Sequence, residues 1–132
     1  MARELILLDT SILIEYFRKE NKKNSALYQL VSSEKYDFAI SVITFYEVYI
    51  GVSEGQKEFW DKMFSKLIKV NFNTECAKTA VKIQKSLKND NKMIAIPDLL
   101  IGATAKNYGY KIATILKEFL VYKSFNKLND YF

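Results

Sequence analysis

The chain alternates short apolar runs with stretches in which apolar residues recur every three or four positions. Leu5 to Leu8 is continuously apolar, the pattern of a strand buried on both faces. Asp9, Thr10 and Ser11 follow, all residue types that cap helix N-termini, and Ile12, Leu13, Tyr16 and Phe17 then form a helical stripe. Asn24 and Ser25 can cap a second helix carrying Ala26, Leu27, Leu30 and Val31, and Tyr36 to Ile40 reads as a second strand. Val42 to Ile50, almost wholly apolar and ended by Gly51, reads as a buried helix. Gly55 to Ile68 is amphipathic, with Phe59, Trp60, Met63, Phe64 and Leu67 on one face. Ile68 to Phe72 suits a short strand, and Thr74 a cap for a helix bearing Cys76, Ala80, Ile83 and Leu87. Pro97 opens another helix that closes at Gly109, and Tyr110 to Ile115 is a further strand, with room for one more in the tail. Strands alternating with helices predict a parallel sheet covered by helices, an α/β fold. No internal repeat and no second domain are visible, so residues 1–132 read as one domain.

Composition narrows the chemistry. There is no histidine, which excludes Ser-His-Asp and Cys-His systems and every His-ligated metal site. A single cysteine, Cys76, excludes an intramolecular disulfide and a zinc knuckle. Catalysis would have to rest on carboxylates, Lys, Tyr, Ser/Thr or a hard metal ion. The net charge is +5, with eighteen of the twenty basic residues Lys, which suits an anionic partner without naming one. No apolar stretch is long enough for a signal peptide core or a membrane span, so a soluble, cytoplasmic protein without membrane contact is expected.

Most acids sit among polar neighbours; three do not. Asp9 ends a buried strand, where α/β sheets place their ligand crevice. Alone it reads better as a helix cap. Glu47 lies within Ile43–Ile50, where a carboxylate is costly unless paired, bound to metal, or set on a narrow wet stripe. Asp98 begins the apolar helix Leu99–Ala105, where the helix dipole by itself accounts for an acid in the first turn. Taken together, 38 and 51 residues apart, they suggest one acidic pocket. Converging carboxylates repel, so a cation is their fitting partner, and oxygen-only ligation selects Mg²⁺ or Mn²⁺. Such ions activate water and stabilise phosphoryl oxygens. Setting the three acids aside raises the charge of the remainder from +5 to +8, a basic surround for such a pocket.

The order Leu7-Leu8-Asp9-Thr10-Ser11-Ile12-Leu13-Ile14, then Thr44-Phe45-Tyr46-Glu47-Val48-Tyr49-Ile50-Gly51, then Ile96-Pro97-Asp98-Leu99-Leu100-Ile101-Gly102-Ala103-Thr104-Ala105, resembles the PIN domain. More narrowly it is similar to the VapC-type toxins of prokaryotic toxin–antitoxin pairs. The resemblance implies a three-layer α/β/α fold with about four to five parallel strands. It further implies Mg²⁺- or Mn²⁺-dependent endoribonuclease activity, with RNA as substrate. A cognate VapB-like antitoxin would occupy the active-site groove, and a homodimer is compatible. Asp9, Glu47 and Asp98 fall on the family's catalytic, metal-binding acids, and Thr10 or Ser11 on a supporting hydroxyl.

One motif departs from the family. It usually closes with Thr, then Asn or Asp two residues later, then Phe. Here the stretch is Ala113-Thr114-Ile115-Leu116-Lys117-Glu118-Phe119. Thr114 is retained, Leu116 stands in the place of the amide or acid, and Glu118 is the sole acid available to substitute. Glu118 is either that substitute or a surface acid, and the shortened segment favours the latter, leaving a single-metal site. The alternative reading is a degenerate PIN domain that binds RNA or a protein without cutting. The aromatic face of the Gly55–Ile68 helix is expected to offer part of a surface for an antitoxin or a second copy.

Overall fold

The structure is a computed structural model that describes residues 2–115. Leu116 and Glu118 therefore lie outside the described residues. Four strands form one wholly parallel sheet: β1 (Glu4–Leu8), β2 (Tyr36–Ser41), β3 (Ile68–Val70) and β4 (Lys111–Ala113), in the order β3-β2-β1-β4. Six α-helices connect them: α1 (Thr10–Arg18), α2 (Ala26–Ser32), α3 (Val42–Ile50), α4 (Lys57–Ser65), α5 (Thr74–Asn89) and α6 (Ile96–Tyr108).

Strand alternation sorts the core into two faces. Ile6, Leu8 and Ile40 point to one side, where α1, α2, α3 and α4 supply Ile12, Leu13, Leu30, Val48, Trp60 and Phe64. Leu7, Ala39 and Val70 point to the other, against Ile83 and Leu87 of α5 and Leu99 and Ile101 of α6. These side chains are almost wholly buried, each worth roughly 1.5–3 kcal/mol. The result is the expected three-layer α/β/α arrangement. The small residues Gly102, Ala103 and Ala105 keep α6 close to the sheet, and all three are buried.

Several boundaries differ from the sequence reading. Asn73, not Thr74, caps α5, its side chain accepting from Cys76 N–H at 2.9 Å. The segment before α4 is a short 3-10 turn over Glu54–Gln56, in which Ser53 and Gln56 cap each other, so the α-helix starts at Lys57. The last described strand is only Lys111–Ala113. Gly109 ends α6 at φ 75°, the left-handed conformation that glycine adopts at no steric cost.

The larger difference is α3. Its apolar run predicts a buried helix, yet only Thr44 and Val48 are buried, while Tyr46 is 63% and Ile50 69% exposed. Conversely, the aromatic face of α4 is spent on the core. Trp60 and Phe64 are buried, and Phe59, Met63 and Leu67 pack against them half-buried. Phe59 and Trp60 close over α1, with Phe17 5.2 Å from each ring centre. Three of the exposed apolar side chains, Phe45, Tyr46 and Ile50, thus lie on α3.

Candidate active site

Sheet order locates a crevice before any residue is considered. From β1 the chain steps outward to β2 and β3, then crosses back to place β4 on the other side of β1. Ligands in open parallel sheets bind at such a reversal, outside the carboxyl ends of the strands. Asp9 directly follows β1 and Thr114 directly follows β4. The two ends are laced together by Asp9 N–H donating to Ala113 carbonyl at 2.9 Å.

Asp9 is fully buried and caps α1. Its Oδ2 accepts from Ser11 N–H at 3.3 Å, from Ser11 Oγ at 2.6 Å and from Thr114 Oγ1 at 2.9 Å. The hydroxyls of Ser11 and Thr114 lie 3.3 Å apart, and Ile115 N–H donates to Ser11 Oγ at 3.3 Å. The two oxygens of Asp9 are therefore unlike: one satisfies the helix start, and the other is left over. That other oxygen, Oδ1, is buried without a hydrogen-bond partner among the described residues. An unsatisfied buried acceptor costs about 1–3 kcal/mol, and more when charged.

Glu47 arrives from α3. Ser41, the last residue of β2, caps this helix by accepting from Ile43 N–H at 3.0 Å, so α3 starts at the carboxyl edge as α1 does. Thr10, the first residue of α1, donates to Glu47 Oε1 at 2.7 Å and lies 3.1 Å from the buried Thr44 Oγ1. Thr10 thus fastens the half-buried Glu47 to the residue next to Asp9. Thr44 escaped the sequence reading; its signal is a small polar residue one helical turn before Glu47 in an otherwise apolar helix.

Asp98 stands half-buried in the first turn of α6. The carboxyl end of α6 feeds β4 at the amino edge of the sheet, and its body packs against α3. Its first turn therefore lies toward the carboxyl edge. Among the described residues, however, no three His, Cys, Asp or Glu side chains stand close enough to hold one ion. The convergence of Asp9, Glu47 and Asp98 onto a single ion is not built into this arrangement as a ready-made cluster. Carboxylates repel without a counter-charge, and here hydroxyls of Thr10, Ser11 and Thr114 take the places nearest Asp9 and Glu47. What the site does offer a hard cation is Asp9 Oδ1, an oxygen of the right type with no other partner. No described helix is long and apolar enough to cross a membrane.

Comparison with known proteins agrees with this fold. A ribonuclease VapC3 of Methanocaldococcus jannaschii is 38% identical over 97 residues, covering 74% of this chain and 94% of the relative. A ribonuclease VapC1 of the same organism is 35% identical over 106 residues, covering 78% of this chain and 71% of that protein. The fold matches a chain in the crystal structure of VapBC2 from Rickettsia felis bound to a promoter DNA fragment. That match has a TM-score of 0.83 at 23% identity, covering 95% of this chain and 98% of the other. The family model of the PIN domain matches residues 6–116, which include the carboxyl ends of β1 and β4 and all of α3 and α6. The chain belongs to the PIN domain family.

Proposed function

We propose that this protein is a divalent-metal-dependent endoribonuclease, the toxin of a toxin–antitoxin pair. The observation that carries the reading is Asp9. It is a buried carboxylate at the sheet's reversal point, with one oxygen saturated by three donors and the other without a partner. Two relatives bearing the name ribonuclease VapC support the reaction class.

In this reading Asp9, Glu47 and Asp98 are the catalytic acids and hold Mg²⁺ or Mn²⁺, with Asp9 Oδ1 as the ligand already in place. A bound ion of this kind supplies Lewis-acid polarisation of a phosphate and a lowered pKa for water. The protein's own part is orientation. Ser11 and Thr114 fix Asp9 so that Oδ1 is the oxygen left available. Thr10 fixes Glu47 in one rotamer beside it. Holding Asp9 and Glu47 in fixed orientations reduces the rearrangement these two acids must undergo when the charged substrate arrives. Glu118 is not a ligand in this scheme, and one ion suffices.

The partner is an antitoxin, with a second copy of the chain alongside. Several related folds were solved as VapBC or FitAB assemblies, among them a toxin–antitoxin complex from Klebsiella pneumoniae. The exposed Phe45, Tyr46 and Ile50 of α3 are the surface such partners would cover.

The test is cleavage of labelled single-stranded RNA. The wild-type chain should cut only with Mg²⁺ or Mn²⁺ present, and Asp9→Asn and Asp98→Asn should not cut at all. Full activity in chelator, or in Asp9→Asn, would overturn the proposal. RNA binding without cleavage under every metal condition would favour the non-cutting PIN domain instead.

A further inference from the structure

A second feature adjoins the acids and shares only Ser11 with the groups that hold them. A cavity of about 430 Å³ opens beside Ser11, lined by Ser11, Ile14, Glu15, Arg18, Lys19 and Ile115. Its size falls within the roughly 300–1,000 Å³ typical of small-molecule sites. Ser11, Ile14, Glu15 and Arg18 recur at spacings of three, one and three, so they form a single face of α1. Ile115 adds the opposite wall immediately beyond Thr114, and its backbone is tied to Ser11 Oγ.

The chemistry along this face is graded. At the near end, Ser11 touches Asp9. In the middle, Ile14 and the exposed Ile115 supply apolar surface. At the far end stand Arg18 and Lys19, both exposed. Arg18 forms no ion pair among the described residues. Arg18 lies seven helical positions beyond Ser11, about 10 Å, a reach of a nucleotide or two of extended strand. The one acid in the wall is already committed: Glu15 Oε1 accepts from Ala26 N–H at 2.7 Å, at the start of α2. Its charge faces the positive end of that helix, which lessens its opposition to an anion in the cavity.

We infer that this cavity is a nucleotide subsite next to the scissile phosphate, in which Ile14 and Ile115 flank a base and Arg18 binds the following phosphate. The inference rests on the ribonuclease reading above and adds substrate-positioning residues that act on binding. The arrangement suits single-stranded RNA, whose splayed bases pack on side chains while a basic residue tracks the backbone. Arg18 contributes a planar fork that can grip two phosphate oxygens, which Lys cannot.

The test is binding of a fluorescent twelve-nucleotide single-stranded RNA of mixed sequence to the whole chain. Anisotropy is read in chelator over a salt series. Arg18→Ala should lose roughly tenfold in affinity. Its plot of log affinity against log salt should be shallower by about 0.7. Arg18→Lys should keep the slope but not the full affinity. Lys85→Ala, the same charge loss on the exposed face of α5, should do far less. Ile115→Ser, at an exposed position, should reduce the preference of the protein for this RNA over an abasic strand of equal length. The subsite is refuted if Arg18→Ala matches Lys85→Ala while the wild-type chain binds and cuts RNA; the nuclease reading then survives. It is also refuted if Arg18→Ala retains RNA affinity but loses a co-purified protein partner. A wild-type chain that neither binds nor cuts RNA would overturn both.

Discussion

Replacing Asp9 separates its capping role from its charge. Asp9→Asn preserves shape and keeps a side-chain oxygen for Ser11 N–H, Ser11 Oγ and Thr114 Oγ1. Asn caps helices about as well as Asp, so the start of α1 loses little. Two further effects oppose one another. The new amide places N–H donors where Oδ1 now lies buried without a partner, costing about 1–3 kcal/mol. Removing a buried charge returns a desolvation cost of similar size. The net change in stability in chelator should be within about 1 kcal/mol. For a chain of this size that is about 3–5 °C in Tm. Asp9→Ala has no such compensation. It loses the cap, about 1 kcal/mol, and takes the shared acceptor from Ser11 and Thr114, about 1–2 kcal/mol more. It should melt about 6–15 °C lower. Thermal melts in chelator and in excess Mn²⁺ complete the assay. At a hundredfold excess over Kd a bound ion adds about 2.7 kcal/mol. The wild-type Tm should therefore rise clearly with Mn²⁺, while Asp9→Asn should not respond. If Asp9→Asn falls as far as Asp9→Ala in chelator, Asp9 is primarily structural. If Asp9→Asn keeps the Mn²⁺ response, the ion does not bind at Asp9.

Thr10→Val should leave the fold within about 1–2 kcal/mol of wild type. It should slow RNA cleavage roughly tenfold or more, because Glu47 loses the donor that fixes it; unchanged cleavage kinetics would show that this bond is idle. Lys22→Met should lower stability by about 1–2 kcal/mol in chemical denaturation. Its ammonium caps the end of α1, donating to the carbonyls of Tyr16, Phe17 and Lys19 at 2.7, 2.7 and 2.8 Å. Tyr49 should hold its proton unusually late. Burial, then the hydrogen bond to Asp61 and its charge, push the phenol up to about 12 from 10.0. The folded state then keeps a proton that the unfolded state gives up near pH 10. The stability tied to this group is complete below that pH and is lost as pH rises toward about 12. Phenolate absorbance should show a late-titrating component that is lost in Tyr49→Phe.

Much of the architecture was legible locally because helix starts and strand runs are encoded by neighbours. Leu5–Leu8 followed by Asp9, Ser25 before α2, and Gly109 after α6 each place an element boundary through short-range hydrogen bonding or backbone freedom. Asp9 was also legible, as an acid at a strand end. Its two readings, cap and functional acid, could not be told apart in one dimension; in the structure one oxygen does the capping and the other has no hydrogen-bond partner among the described residues. The exposure of α3 was not legible. An apolar helix reads as buried whether its surface is covered by the chain's own core or left outward, and only the position of α4 shows where core space runs out. Thr114 meets Asp9 across 105 residues because β4 pairs with β1. Thr10 meets Glu47 across 37 because α1 and α3 both start at the same edge of the sheet. Such contacts depend on strand order and register, which arise from the packing of the whole sheet. The sequence by itself determined which residues could do chemistry and where the elements begin. The tertiary structure decided which hydroxyls hold the acids, which oxygen of Asp9 is left without a hydrogen-bond partner, and that a basic-ended cavity lies beside it.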